Sequence, residues 1–302
     1  MKAHAPEAAS HISTQLTYEV TAPSHFLMNI QAARTQGQRA MGECLCIEPA
    51  VETATFCDEA SGNRFVRFDA EPGTLRIHYD VEVRRTPQER PDTLAEMPVN
   101  SLPNELLHYL TPSRYCESDL MGRAAQQLFG HLPPGIGRVQ AICDWIYESI
   151  VYQIGTSDST TTASEIFVQR AGVCRDFAHL GITLCRALNI PARLVSGYVW
   201  FDEPPQDFHA VFEAWLGGRW VLFDPTRMAP VDRLVRVGTG RDAKDVAFST
   251  IYGSVTMTEM LIRLKEVQGG LQDGPSPHAS GILSGIERPE PVVAAPALRR
   301  VV

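Results

Sequence analysis

The sequence lacks a long apolar run. No stretch approaches the roughly 18 residues that a membrane-spanning helix requires. Its opening, Met1-Lys2-Ala3-His4-Ala5-Pro6, has no apolar segment of the secretory-signal kind. It also lacks a basic excess: 27 Lys and Arg against 35 Asp and Glu leave a formal net charge of -8. A general nucleic-acid binder carries a basic stripe, so neither nucleic acid nor membrane is expected as a partner. The seven cysteines are odd in number in a 302-residue chain, which argues against a disulfide framework. Reduced thiols in a cytoplasmic setting are the expectation. Cys44-Leu45-Cys46 with Cys57 resembles part of a zinc motif but lacks a paired C-x-x-C, so no metal is expected there.

What is present is ordinary for a folded chain, 44% hydrophobic and 21% charged residues, with length enough for two domains. Residues 1–13 read as a disordered leader. Leu75, Ile77, Tyr79, Val81 and Val83 alternate with polar residues, the period of a half-exposed strand. Turn signals at Ser61-Gly62-Asn63 and Glu71-Pro72-Gly73 separate further strand-like runs. Residues 14–86 are therefore expected to form an antiparallel β-sandwich. Residues 87–115, punctuated by proline, read as a linker. From 116 to 267 helical and strand patterns mix. Val139, Ile142, Cys143 and Ile146 recur at helical spacing, and so do Phe177, Leu180, Leu184 and Leu188. Asn189-Ile190-Pro191 closes the second helix, because proline cannot continue it. Gly217-Gly218 is expected to join two strands as a two-residue hairpin. Residues 268–302, rich in Gly, Pro, Ser and Ala, read as a disordered tail.

The chemistry concentrates in three places. Ala171-Gly172-Val173-Cys174 leads into a helix, His209 stands in a strand-like run, and Asp224 follows the predicted hairpin. Cysteine attacks as a thiolate, and a free thiol titrates at about 8.5. A helix N-terminus and a protonated imidazole both favour the anion, and Gly172 would permit a sharp turn ahead of Cys174. Asp176, in the first helical turn, opposes it. If Leu216 pairs with Arg219, Val211 faces Asp224, and His209 becomes a diagonal neighbour of that carboxylate on one face of the ribbon. A one-residue slip would part them. The backbone N–H of Cys174 is a candidate oxyanion donor, and a second donor is not identifiable in the sequence. His179 would lie about 140° round the helix from Cys174, which favours a structural role. Cys143 and Cys185 read as small buried hydrophobes, and Cys116 as buried between the domains. Trp215 and Trp220 flank the hairpin and read as core, with a cleft wall as the alternative for one of them. Tyr198 and Trp200 fit core or channel wall equally, and Arg175 and Arg193 fit surface ion pairs.

Gly172-Val173-Cys174-Arg175-Asp176-Phe177-Ala178, Asn189-Ile190-Pro191-Ala192-Arg193, Gly197-Tyr198, His209-Ala210 and Asp224-Pro225-Thr226 together resemble the transglutaminase-like superfamily. The likeness is strongest to its bacterial branch of transglutaminase-like cysteine proteases, and it spans about residues 14–265. It implies an α+β chain: an N-terminal antiparallel β-sandwich followed by a papain-like transglutaminase core, with helices packed on an antiparallel sheet. Cys174, His209 and Asp224 fill the family's catalytic triad positions. Val211 stands where the family commonly has an aromatic residue. Animal members need calcium, but no acidic loop with that ligand spacing is present, so no cofactor is expected.

Three functions fit these residues. The leading one is a thiol hydrolase of amide bonds, a protease or peptidase acting on protein or peptide substrates. The second is a transglutaminase that passes glutamine acyl groups to amines. The third is a binding module that keeps the fold without catalysis. Arylamine acetyltransferases and glycoprotein deglycosylases use the same three residue types but match the flanking motifs less well.

Overall fold

Alternation builds the first half of the molecule. The computed structural model describes residues 8–86 and 93–267. Six strands come first: β1 (Ala8–Val20), β2 (Ser24–Met28), β3 (Gln38–Glu48), β4 (Ala54–Cys57), β5 (Arg64–Ala70) and β6 (Gly73–Arg85). In β6 every second residue from Leu75 to Val83 is buried, because one face meets the core and the other meets water. The expected leader is corrected here. Residues 1–7 lie outside the described residues, but Ala8–Ser13 already belong to β1 and pair with both of its neighbours. Ser10 and Ile12 are completely buried there, so this segment is structural.

The second half alternates helices and short strands: α1 (Gly122–Phe129), α2 (Ile136–Ser149), β7 (Val151–Tyr152), α3 (Ala163–Gln169), β8 (Ala171–Gly172), α4 (Cys174–Ala187), β9 (Ala192–Tyr198), β10 (His209–Leu216), β11 (Arg219–Phe223) and β12 (Val235–Gly240). The last four strands form one antiparallel sheet in the order β11-β10-β9-β12. The central helix, α4, is buried from Asp176 to Arg186. Its apolar side chains share one core with Phe212, Ala214 and Leu216 of β10 and with the inner faces of α1 and α2. The helix stops at Ala187, and Asn189 turns the chain in the left-handed region, at φ 63°, just before Pro191.

Two last strands leave this half. β13 (Ser249–Tyr252) pairs with β2, and β14 (Val255–Val267) pairs with β1 along most of its length. The two sheets of the sandwich therefore run β14-β1-β6-β3 and β13-β2-β5-β4. The expectation that the core continues unbroken to residue 267 is corrected. Residues 249–267 return to the N-terminal sandwich, where Ile262 and Leu264 enter its core. Their pairing with β1 and β2 joins segments far apart in sequence, and local periodicity carries no information on which edge a strand will cover. Tyr198, Val235 and Val237 enter that same core from β9 and β12, so the two halves share apolar packing.

The expected linker lies partly outside the described residues, at 87–92. From 93 onward it is fastened to the second half. Leu94 O accepts from Ile136 N–H, Ala95 O accepts from Gly217 N–H, and the Glu96 carboxylate pairs with Arg138. The expected tail, 268–302, lies outside the described residues. Cys116 is corrected as well. It is fully buried in the core around α4, not between the halves, and its thiol points at His179 O at 3.6 Å.

Candidate active site

Cys174 occupies the first turn of α4 because the preceding strand delivers it there. β7 and β8 pair in parallel, Val151 with Ala171 and Tyr152 with Gly172, and Val173 then precedes the helix in extended conformation. Gly172 serves this arrangement by having no side chain, not by a special backbone angle. A Cβ at that position would stand 2.8 Å from Asp176 Cβ and 3.1 Å from Ile166 Cδ1. The Asp176 carboxylate turns back to accept Val173 N–H at 2.9 Å and the Ser157 hydroxyl. It also accepts Arg175 Nε at 3.0 Å and Nη2 at 2.8 Å. The acid that opposed a thiolate in the sequence is thus occupied in capping the helix and in an ion pair.

The hairpin has the expected register. Leu216 pairs with Arg219, and the ladder runs back to Phe212 opposite Phe223. Gly217 and Gly218 turn it at φ +57° and +80°, the two positive angles of the tight turn that suits the twist of a ribbon. One step further, Asp224 leaves β11 beside His209. His209 Nε2 donates to Asp224 Oδ2 at 2.8 Å, with both side chains almost completely buried, 1% and 3% exposed. Asp224 Oδ1 is held in turn by the Thr226 backbone N–H at 2.9 Å and the Thr226 hydroxyl at 2.6 Å. Thr226 is a positioning group that the sequence reading quoted within a motif without giving it a role. An acid followed two residues later by a hydroxyl residue was the available signal.

The remaining imidazole nitrogen, Nδ1, is buried without a well-formed hydrogen bond. By elimination it is the atom open to Cys174. Burial alone would push the His209 imidazole down. The hydrogen bond and charge of Asp224, together with the neighbouring Cys174 thiol, overcome it and raise the imidazole to about 10. Phe201 caps the ring at 5.7 Å between centroids. The Cys174 thiol is half-buried, with a long contact of 4.0 Å to Phe208 O, so it faces the start of β10 rather than bulk solvent.

Tyr152 was missed in the sequence. Its ring packs on Phe177, and its hydroxyl lies against the Cys174 backbone N–H and thiol. Burial and the charge on Cys174 raise the phenol well above its ordinary range. No spacing rule marks a tyrosine so far ahead of the cysteine. Only the β7–β8 pairing, which sets Tyr152 beside Gly172, brings it in.

The other candidates separate from this cluster. His179 is buried, accepts Ala243 N–H at Nε2 (3.1 Å) and stacks on Tyr115 at 5.1 Å. Cys143 and Cys185 lie in the core, and burial pushes the Cys185 thiol up. Trp215 and Trp220 pair across the ribbon, edge to face at 5.4 Å. Arg193 stacks on Trp220 at 4.0 Å and bonds the buried Glu213 at 2.9 Å. Tyr198 is core, donating to Ile30 O at 2.7 Å, while Trp200 stays half exposed.

A helix-borne thiol facing an imidazole and carboxylate on an antiparallel sheet defines an α+β thiol-site protein. Residues 123–225 match the family described as the Transglutaminase-like superfamily, and residues 10–105 match "Bacterial transglutaminase, N-terminal domain". The fold is similar to the crystal structure of a "Putative Cysteine Protease" from Cytophaga hutchinsonii, with a TM-score of 0.84 and 39% identity over 89% of this chain and 94% of that one. The chain belongs to the transglutaminase-like superfamily. It is also similar to the uncharacterized protein ML0607 of Mycobacterium leprae, at 36% identity over 134 residues, 40% of this chain and 47% of that protein. The uncharacterized protein Rv2569c of Mycobacterium tuberculosis is 38% identical over 115 residues, 33% of this chain and 37% of that protein. The matched stretch therefore spans less than half the length of these mycobacterial relatives.

Proposed function

We propose that the protein is a thiol-dependent acyl-transfer enzyme that hydrolyses amide bonds, a cysteine protease or peptidase. The observation that carries this reading is His209: one ring nitrogen is bonded to a buried carboxylate, and the other is left open beside Cys174. The cytoplasm is its proposed setting and a protein or peptide its proposed substrate.

In this reading the Cys174 sulfur attacks the amide carbonyl carbon while His209 carries the thiol proton. The carbonyl π pair moves onto oxygen. The oxyanion is met by the Cys174 N–H and the Tyr152 hydroxyl, which lie against one another and turn to the incoming oxygen as its two donors. When the C–N bond breaks, His209 gives its proton to the departing nitrogen and a thioester remains. Water then loses a proton to His209, attacks the thioester and returns Cys174. Asp224 keeps the imidazole oriented and supports its positive charge throughout.

Transfer to an amine shares every residue up to the thioester. One experiment separates the two: incubation of purified protein with a glutamine-containing peptide, a labelled primary amine and a panel of peptide substrates. Cleavage without label incorporation is the expected result. Incorporation without cleavage would make the enzyme a transglutaminase. Neither product, with Cys174 no more reactive toward iodoacetamide than exposed Cys44, would leave a binding module.

A further inference from the structure

The stretch between β9 and β10, residues 199–208, has few fastenings of its own. Most of it is exposed or half-buried; Val199 and Phe201 pack with Val211 and Leu234, and Gln206 Nε2 to Val199 O at 2.7 Å ties its two ends. Yet it delivers Phe208, whose carbonyl lies against the Cys174 thiol, and then His209. What holds its end is a row of three aromatic rings. Phe208 stacks on Phe248 at 4.9 Å with planes 13° apart, and it packs on Tyr198 at 5.0 Å. Phe248 belongs to the other half of the molecule. Its carbonyl accepts Asn29 N–H at 2.9 Å, and β13 follows at once, paired to β2. Tyr198 is tied there too, through Ile30 O.

We infer that Phe248 is a positioning residue: by clamping Phe208, the N-terminal sandwich sets the alignment of His209 with Cys174 and is a working part of the site. This rests on the proposed pairing of Cys174 with His209. The sandwich could have packed on the far side of the sheet and contributed only stability. Instead it contacts the chain immediately before the imidazole. Loss of the ring frees Phe208 to leave Tyr198, and the turn from Phe208 to His209 loses its fixed point. Stacked aromatics are directional, so the clamp sets an angle as well as a depth. The titratable groups facing the pair are Asp224, Tyr152 and Asp207.

The test is peptide-resolved iodoacetamide labelling of full-length protein across pH 4–9, reading Cys174 separately from exposed Cys44 and Cys46. A paired thiolate keeps labelling on the acid side, where an ordinary thiol stops. Phe248→Ala is expected to lower the acid-side rate about tenfold, Phe248→Leu to lower it less, and Phe248→Tyr to restore it. Phe26→Leu serves as control: it alters a stacked pair, Phe26 on Phe68, deep in the same sandwich, and should leave the profile unmoved while lowering the melting temperature. If Phe26→Leu shifts the profile as much as Phe248→Leu, or if Phe248→Ala and Phe248→Leu both overlay the wild type, the clamp is overturned and the functional reading stands. A wild type whose Cys174 labels like Cys44 at every pH overturns both.

Discussion

The molecule buries two imidazoles to the same depth, 1% exposed each, and treats them oppositely. His209 is held protonated up to about 10, whereas His179 is driven down to about 3. Desolvation acts in the same direction on both, against charge. The difference lies in what surrounds them. His209 has a carboxylate on one nitrogen and a thiol on the other side. His179 receives a backbone N–H from Ala243, which requires a lone pair on its ring, and Arg175 and Arg186 add to the depression while Asp176 opposes it. Burial by itself yields a neutral spacer. A buried imidazole becomes a proton carrier only where an acid and a nucleophile are supplied with it.

The sharpest way to break this contrast is to delete the groups on the His209 side. Cys174→Ala is expected to abolish turnover while leaving the melting temperature within a few degrees. His209→Ala should cost about 10³-fold or more in kcat, and Asp224→Ala less, because the carboxylate orients and supports the imidazole rather than exchanging protons. His179→Gln, which keeps an acceptor for Ala243 N–H, should change kcat less than about threefold. A loss in His179→Gln comparable to that in His209→Ala would reverse the assignment. Tyr152→Phe comes next. Removal of one oxyanion donor typically lowers kcat by about 10²-fold or more, with little change in KM. An effect confined to KM would place Tyr152 in substrate binding instead.

Stability against pH tests the same contrast with opposite signs. The folded His209 titrates above its unfolded value of 6.5, so its contribution is complete below about 6.5 and disappears as pH rises through about 10. The folded His179 titrates below that value. Between about 6.5 and about 3 the unfolded chain binds a proton that the folded one refuses, so stability falls as pH drops through that window. The slope approaches about 1.4 kcal/mol per pH unit for one proton. Urea unfolding at pH 7, 6 and 5 should show His179→Gln with a shallower acid-side decline than wild type. If the decline is unchanged, His179 is not the group refusing that proton.

The unequal treatment of the two imidazoles was partly legible in the sequence. Helical periodicity put His179 away from Cys174, and the glycine pair fixed a register that brings His209 to Asp224. The N-terminal strands were legible because alternation is a local property. Other features depend on pairing between distant segments, which leaves no periodic trace. Tyr152 reaches Cys174 only through the β7–β8 pairing, and residues 249–267 complete a sandwich begun some two hundred positions earlier. Gly172 was recognised as necessary, but for the wrong reason: the constraint is the space Asp176 occupies, which a one-dimensional reading cannot measure.

The smallest expected effect lies at the far end of the ribbon, and it asks how firmly the register isolates His209 from its turn. Gly217 sits at φ +57°, and a Cβ there would meet Leu94 Cδ2 at 2.6 Å. Gly217→Ala places a side chain in the left-handed region at a cost of about 1–2 kcal/mol, and Leu94, a flexible neighbour, can yield the remaining space. The ladder from Leu216–Arg219 to Phe212–Phe223 lies between that turn and the imidazole, and its side chains are packed against α4. A local strain should therefore appear as a lower unfolding midpoint, with kcat changed less than about twofold. Gly217→Asn, which tolerates the angle better, should recover most of the stability. A tenfold loss of activity in Gly217→Ala at unchanged stability would mean that the turn, not the packed ladder, sets the His209–Asp224 geometry. The contrast between the two imidazoles would then rest on the loop rather than on the sheet.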